Sequence, residues 1–331
     1  MKIVVDAMGS DNHPEPDVAG AVLAAREFGD EIFLVGDEKL VYAELEKLTS
    51  TDLLIHVVHA SQVIEMNDSP SEASRSKKDS SMHVGLNLVK SGEADAFVSA
   101  GNTGGILAVS MLHTLRRIPG IKRPALGVIF PLSNNPLLID NGANADAKPE
   151  YMLQFAMMGS LYIERVRGIT RPRVGLISNG EEEGKGNQLI KETTPLLASS
   201  GLNFIGNIET KEFIQGMTDV GVTDGFTGNI ILKTAEAISS YMKGVIREEI
   251  KAGILTSIGG LLAKPAFDRV GRRLNPDEVG GAPLLGVNGV VIVGHGRSNA
   301  FAIKQAIGQA RLAVERDIVG AIRDGLGSKF D

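Results

Sequence analysis

Short runs of consecutive apolar residues alternate with longer stretches of helical period along the whole chain. Lys2-Ile3-Val4-Val5 reads as a first strand, and 14–28 follows as a helix with Ala and Val gathered on one face. The same alternation predicts strands over 32–35, 53–58 and 96–99 and helices over 37–48, 80–91 and 103–116. Strands over 125–130 and 137–140 flank the turn Ser133-Asn134-Asn135-Pro136, and a helix over 149–165 opens on a proline, which tolerates a first-turn position. Further strands are predicted over 174–177, 204–208, 220–222 and 290–293, with helices over 187–199, 226–252 and 298–319. The apolar run 283–294 is expected to be one buried strand.

Strands that alternate with helices imply a mostly parallel sheet covered on both faces, a three-layer α/β/α body. Unbroken apolar strands such as Ile3-Val4-Val5 and Val290-Val291-Ile292-Val293 fit burial on both sides. No internal repeat or low-complexity linker interrupts the chain, so 1–331 is expected to form a single catalytic domain. The stretch 241–274 departs from the alternation, being long, helical in pattern and rich in apolar and basic residues. It reads as a helical excursion from the body.

Composition narrows the function. With no cysteine there is no disulfide framework, thiolate metal site or cysteine nucleophile. The opening Met1-Lys2-Ile3-Val4-Val5-Asp6 lacks the form of a signal peptide, and no apolar run reaches the roughly 18 residues of a spanning helix. A soluble, cytoplasmic protein is expected. A net charge of -6 and the absence of tryptophan argue against nucleic acid as a partner.

Ligands of open α/β sheets sit at the carboxyl ends of strands, and those ends are unusual here. They carry Asp6-Ala7-Met8-Gly9-Ser10-Asp11, Ser99-Ala100-Gly101-Asn102-Thr103-Gly104-Gly105, the run from Asp140 to Glu150, the run from Asn179 to Asn187, and Thr223-Asp224-Gly225-Phe226-Thr227-Gly228-Asn229. Glycine allows close backbone approach to an anion, and a helix N-terminus adds free donors. Any one such loop is compatible with a plain capped turn, but so many amides and acids at successive strand ends point to a small anionic ligand. Gly294-His295-Gly296-Arg297-Ser298 is either a second anion loop or a capped turn. Arg75-Ser76-Lys77-Lys78 is either a solvated loop, or a phosphate clamp or docking patch for an acidic partner. His56 and His59 are no metal pair, since positions three apart on a strand face opposite ways. Neither the glycine fingerprint of a dinucleotide fold nor a Gly-x-Ser-x-Gly elbow is present.

As a set these segments resemble the PlsX family of phosphate acyltransferases. The resemblance runs through Val5-Asp6-Ala7-Met8-Gly9, Arg75 to Met82, Ser99 to Gly104, Gly142 to Glu150, Gly180 to Glu183, Lys185-Gly186-Asn187, Thr223 to Asn229 and Gly280 to Gly286. Two departures stand out: Ser10 occupies a glycine position, and Asn12-His13-Pro14 alters the usual turn. The resemblance implies the fold of isocitrate and isopropylmalate dehydrogenases and phosphotransacetylases. It also implies reversible transfer of a long-chain acyl group from acyl-carrier protein to inorganic phosphate. The acyl phosphate would pass to a membrane glycerol-phosphate acyltransferase. A homodimer, peripherally associated with the membrane, is implied too.

No cofactor and no metal are expected; phosphate is itself the nucleophile, so the protein's task is positioning two reactants. Gly101, Asn102, Thr103 and Gly104 are expected to hold phosphate with Asn144, while Lys148 and Asn229 complete the pocket. His83 and His295 are candidate proton handlers, and Asp224 is a candidate to orient a cation or water. Leu261 and Leu262, with Lys264, Arg269, Arg272 and Arg273, offer three readings: a dock for acidic carrier protein, an amphipathic helix on an anionic membrane, or a dimer contact. Two rival functions remain at this stage, a hydroxy-acid dehydrogenase of the same fold and a non-enzymatic membrane scaffold.

Overall fold

The computed structural model describes residues 1–132, 134–182, 184–273 and 275–330, and the side chains of Arg273, Pro276 and 327–330 fall outside that description. Ser133, Glu183 and Leu274, which belong to segments singled out above, therefore lie outside the described residues.

The first part of the chain forms β1 (Lys2–Asp6), α1 (Glu15–Phe28), β2 (Glu31–Gly36), α2 (Glu38–Leu45), β3 (Ile55–His59), α3 (Pro70–Ser76), α4 (Ser81–Ser91), β4 (Ala96–Ser99) and α5 (Thr103–Ala108). The middle part forms β5 (Ala125–Ile129), β6 (Leu137–Ile139), α6 (Pro149–Arg167), β7 (Arg173–Ile177), α7 (Gln188–Ala198), β8 (Asn203–Ile208), α8 (Thr210–Ile214), β9 (Val220–Val222), α9 (Gly225–Lys251) and α10 (Ile254–Arg273). The chain closes with β10 (Ala282–Leu285), β11 (Val290–Val293), α11 (Ala300–Glu315) and α12 (Ile318–Phe330).

Among the described residues these strands make one 11-stranded sheet, ordered β3-β2-β1-β4-β11-β10-β5-β6-β9-β7-β8. Most ladders are parallel. The exceptions lie at the centre, where β11 with β10, β10 with β5, and β5 with β6 are antiparallel. Those reversals make β6, β9, β7 and β8 run opposite to β1, β2, β3, β4 and β11. The carboxyl ends of the two halves therefore leave opposite edges of the sheet.

Each half is buried on both faces, as its apolar runs require. Ile3, Val5, Ile32 and Val98 pack on Ala21 and Ala25 of α1 and Ile303 and Ile307 of α11. Val4 and Phe97 pack on Met82 and Leu86 of α4 and Ile106 of α5. In the other half Ile139, Val174 and Val220 meet Phe155, Met158 and Tyr162 of α6. Leu138, Ile177 and Phe213 meet Ile231, Leu232 and Ala235 of α9.

The boundaries follow local chemistry. Asp37 caps α2 with bonds from Lys39 N and Leu40 N at 2.9 and 3.3 Å, and Asn187 caps α7 with one from Ile190 N at 3.0 Å. The run 283–294 is two antiparallel strands, β10 and β11, not one. The helix expected over 103–116 changes at Val109–His113 into a wider π turn, and the one expected over 298–319 breaks at Asp317, whose φ is +47°. The helical excursion begins earlier than 241, as the distal half of α9, and returns as α10. His56 and His59 have separate partners, Glu31 Oε1 at 2.9 Å and the Glu38 N–H at 3.5 Å.

Gly228 shows how tightly α9 meets the sheet, because a Cβ there would overlap the Asp140 carbonyl oxygen. Gly228→Ala is expected to cost about 3 kcal/mol, the upper range for forcing atoms into a packed site. Gly92→Ala, at φ +77° with open space around it, is expected to cost about 1 kcal/mol from backbone conformation alone. Denaturant midpoints of the two variants check the ranking.

Candidate active site

One group of loops gathers at the ends of β1, β4 and β11. Asp6 is buried and accepts bonds from Ser99 Oγ at 2.6 Å and Met8 N at 3.1 Å. Burial pushes its carboxyl above the usual range, opposed by those donors. A Cβ on Gly9 would stand 2.9 Å from Gly101 N and 3.0 Å from Ser99 Oγ, so glycine is what lets this turn close on the next loop. Asp11 N donates to Gly296 O at 2.7 Å, which adds the turn after β11.

Asn102 caps α5 through Oδ1, which accepts from Gly105 N at 3.0 Å. Its Nδ2 lies 3.1, 3.1 and 3.2 Å from the carbonyls of Glu65, Met66 and Asp68. That amide is committed to the loop preceding α3, so Asn102 shapes the turn and offers no free donor. The open donors are next to it: the N–H groups of Thr103 and Gly104 open the helix and have no partner within it, and Thr103 is exposed. Pro70 of α3 lies over Gly104, where an added Cβ would come 2.6 Å from Pro70 Cγ.

The basic cluster divides in two. Lys77 Nζ is tied to Asp68 Oδ2 at 2.6 Å and Val63 O at 2.7 Å. Arg75 and Lys78 are exposed and have no carboxylate partner among the described residues. His83 Nδ1 lies 2.9 Å from Ser80 Oγ, and its buried Nε2 has no partner among the described residues. Its ring lies 5.5 Å from that of His113, and burial, then the His113 charge, lowers its pKa. His295 belongs to a closed turn, since its carbonyl accepts from Ser298 N at 2.8 Å.

A second group gathers at the ends of β6 and β9. Asp140 accepts four bonds: from Leu126 N at 3.0 Å and Ala143 N at 3.1 Å on one oxygen, and from Asn144 N at 2.7 Å and Asn144 Nδ2 at 2.9 Å on the other. Burial raises its pKa against those donors. Asn144 Nδ2 also reaches Pro124 O at 2.7 Å, and its carbonyl accepts from Gly225 N at 2.8 Å. Asn144 is thus internal framework. Asp224 caps α9, accepting from Thr227 N at 2.9 Å and Thr227 Oγ1 at 2.8 Å, so both its oxygens are engaged by the helix. Asn229 lies against Gly142, about 3.8 Å from where a Cβ would be, and its amide and the exposed Lys148 ammonium are unpaired among the described residues.

The single pocket expected from the sequence thus resolves into two groups. Gly101, Asn102, Thr103 and Gly104 belong to one edge of the sheet, and Asn144, Lys148, Asp224 and Asn229 to the other, because β4 and β6 run in opposite directions. Helix α9 links them, starting at the second edge and reaching the first, where Glu236 Oε1 meets Arg297 Nη2 at 3.4 Å. Beyond that point the α9–α10 hairpin is exposed. Leu261 and Leu262 are 71% and 78% accessible, Lys264 pairs with Asp268 at 2.7 Å, and Arg269 and Arg272 are exposed, Arg272 bearing on the same Asp268. The Arg273 side chain lies outside the described residues. Asp6, Ser99 and Asp140 are the framework residues that motif reading missed. The signal was there, since an acid or hydroxyl ends the apolar runs of β1, β4 and β6 just before a glycine-rich loop. No helix among the described residues is long and apolar enough to cross a membrane, and no cluster of three metal-ligating side chains is present among them.

Comparison with known proteins agrees with this architecture. Residues 1–320 match a family model described as fatty acid synthesis protein. The phosphate acyltransferase of Elusimicrobium minutum is 47% identical over 98% of this chain and 95% of its own length. That of Geobacter sulfurreducens is 45% identical over 100% of this chain and 95% of its own. Among solved structures, a phosphotransacetylase from Streptococcus pyogenes aligns with a TM-score of 0.61 at 18% identity, covering 97% of this chain and 94% of that one. A 4-hydroxythreonine-4-phosphate dehydrogenase from Klebsiella pneumoniae aligns at 0.56 and 12%, covering 95% and 99%. These two share the fold, whereas the sequence relatives identify the chemistry. The chain is an acyltransferase and belongs to the fatty acid synthesis protein family that comprises the PlsX phosphate acyltransferases.

Proposed function

We propose that the protein transfers a long-chain acyl group reversibly from acyl-carrier protein to inorganic phosphate, and that phosphate binds at the Gly101–Gly104 turn. The observation that carries this reading is the pair of open N–H donors on Thr103 and Gly104, in a turn that the Asn102 side chain fixes. A phosphate oxygen attacks the thioester carbonyl carbon, and the carbonyl oxygen becomes an oxyanion. Collapse breaks the carbon–sulfur bond and leaves the acyl phosphate, while the proton released by hydrogen phosphate goes to the departing carrier thiolate to give the thiol. About half of inorganic phosphate is already the dianion near neutral pH, so the attack needs positioning and charge stabilisation more than a base. The chain has no cysteine, which fits direct transfer without a thioester intermediate on the enzyme.

Exposed charge and exposed apolar surface support the partners. Arg75 and Lys78, exposed and without a carboxylate partner among the described residues, offer positive charge to an acidic carrier protein. The α9–α10 hairpin leaves the edge of the Gly101–Gly104 turn with its apolar residues uncovered, which supports peripheral contact with an anionic membrane surface. That contact would deliver the acyl phosphate to a membrane glycerol-phosphate acyltransferase. The PlsX resemblance supports a cytoplasmic homodimer. Lys148 and Asn229, on the opposite edge, form a separate set of donors.

Palmitoyl-carrier protein with inorganic phosphate and hydroxylamine is expected to give phosphate-dependent hydroxamate; none from folded protein rejects acyl-phosphate formation. Thr103→Pro removes one proposed donor at a position where proline suits a helix. It is expected to raise the phosphate KM about tenfold or more, as for a lost bond to a charged ligand. Lys148→Ala is expected to leave that KM within about twofold, and the reverse pattern moves phosphate to the other edge. A Leu261→Asp, Leu262→Asp variant is expected to lose flotation with anionic liposomes, and undiminished flotation removes the hairpin from membrane contact.

A further inference from the structure

Ser10, which stands at a position where the resemblance implies glycine, has a specific attachment. Its hydroxyl donates to Asp17 Oδ2 at 2.5 Å, and both residues are buried. The second oxygen of Asp17, Oδ1, is buried with no partner among the described residues. The Ser10 carbonyl is held by His13, from its N–H at 3.2 Å and by its ring Nδ1 at 2.8 Å. On one side of Ser10, Gly9 lies against Gly101 and Ser99; on the other, Asp11 N bonds Gly296 O. Ser10 therefore fastens the β1–α1 turn to α1 while its neighbours fasten it to the loops after β4 and β11.

We propose that Asp17 is a positioning residue for the phosphate turn: through Ser10 it holds the Gly9 turn against Gly101, and its charge state sets how well that turn accepts an anion. The proposal rests on the phosphate reading above. Asp17 is also a buried acid of the first turn of α1, so the Ser10 hydroxyl ties the β1–α1 turn to the start of that helix. The charged group bearing on Asp17 is Asp6, and His13 bears on Asp6 in turn. Burial pushes the Asp17 carboxyl up to about 7, Ser10 opposes that shift and Asp6 adds to it. A proton lost from Asp17 adds buried negative charge behind the turn, so phosphate binding weakens as pH rises through neutrality.

Stability gives a second readout with a definite sign. Between the ordinary carboxylate range and neutrality the folded state keeps the Asp17 proton and the unfolded chain does not. The associated stability is complete below the ordinary range and is lost as pH rises to about 7. Asp17→Asn cannot ionise, so its Tm relative to wild type is expected to climb from pH 5 to 7 and then level off.

The experiment measures phosphate KM and kcat by hydroxylamine trapping from pH 6 to 8.5 for wild type, Asp17→Asn and Ser10→Ala, with Tm over pH 5 to 8. Phosphate's own ionisation cancels in the ratio of wild-type to Asp17→Asn KM, which is expected to rise several-fold with pH. Ser10→Ala is expected to raise KM roughly fivefold, the loss of one ordinary hydrogen bond, with kcat nearly retained. A KM ratio independent of pH, or a Ser10→Ala KM equal to wild type, overturns the positioning role. If Asp17→Asn does not fold, Ser10→Ala still decides. A wild type that forms no phosphate-dependent hydroxamate overturns the acyl-transfer reading beneath the proposal, whatever the variants do.

Discussion

A loop that leaves a buried strand carries backbone N–H groups that need acceptors, because an unpaired buried donor costs about as much as a lost hydrogen bond. This protein meets that constraint with carboxylates at the ends of strands. Asp140 alone takes three backbone N–H groups and an amide, and Asp6 takes a backbone N–H and the Ser99 hydroxyl. Each acid turns a flexible glycine-rich segment into a fixed one. The donors that remain free, on Thr103 and Gly104 at one edge and Asn229 and Lys148 at the other, sit in loops whose framing acids and amides are already paired.

Much of this was legible in the sequence, for physical reasons. Parallel strands buried on both faces must be apolar without interruption, so Ile3-Val4-Val5 and Val290 to Val293 declare themselves. Helix starts at Asp37, Ser80 and Asn187 coincide with residues whose side chains can cap. What was illegible depends on partners distant in sequence. The β10–β11 hairpin hides inside one apolar run, since Gly286 and Gly289 mark a turn that composition alone does not separate from a strand. The short α3 is polar and has little period to detect. The break at Asp317 needs a left-handed residue that is not glycine.

The candidate site shows the same limit more sharply. Asparagines in glycine-rich loops suggest donors aimed at a ligand, yet Asn102 and Asn144 spend their amides on backbone carbonyls and on Asp140. An Asn in such a loop is equally suited to both tasks, and only the path of the chain decides. The direction of the central strands is a second such fact. Three antiparallel pairings reverse half of the sheet, and that separates Lys148 from Thr103 although their loops read alike.

The reversal also explains where the hairpin stands. A helix that follows β9 starts at one edge and must return along the sheet, so α9 reaches the edge that carries Gly101 after about three turns. It does not stop there. Ile238, Tyr241 and Met242 lie 57%, 71% and 49% accessible beyond the Glu236–Arg297 contact, and α10 adds Ile254 and Leu255 at 83% and 85%. Within one chain such a surface has no reason to form, because burying it would contribute on the order of 25 cal/mol per Å². The apolar hairpin fits the proposed reaction, in which phosphate meets an acyl group whose product passes to the membrane. The same strand directions that divide the predicted pocket thus bring the proposed membrane-contact surface to the edge that carries the proposed phosphate turn.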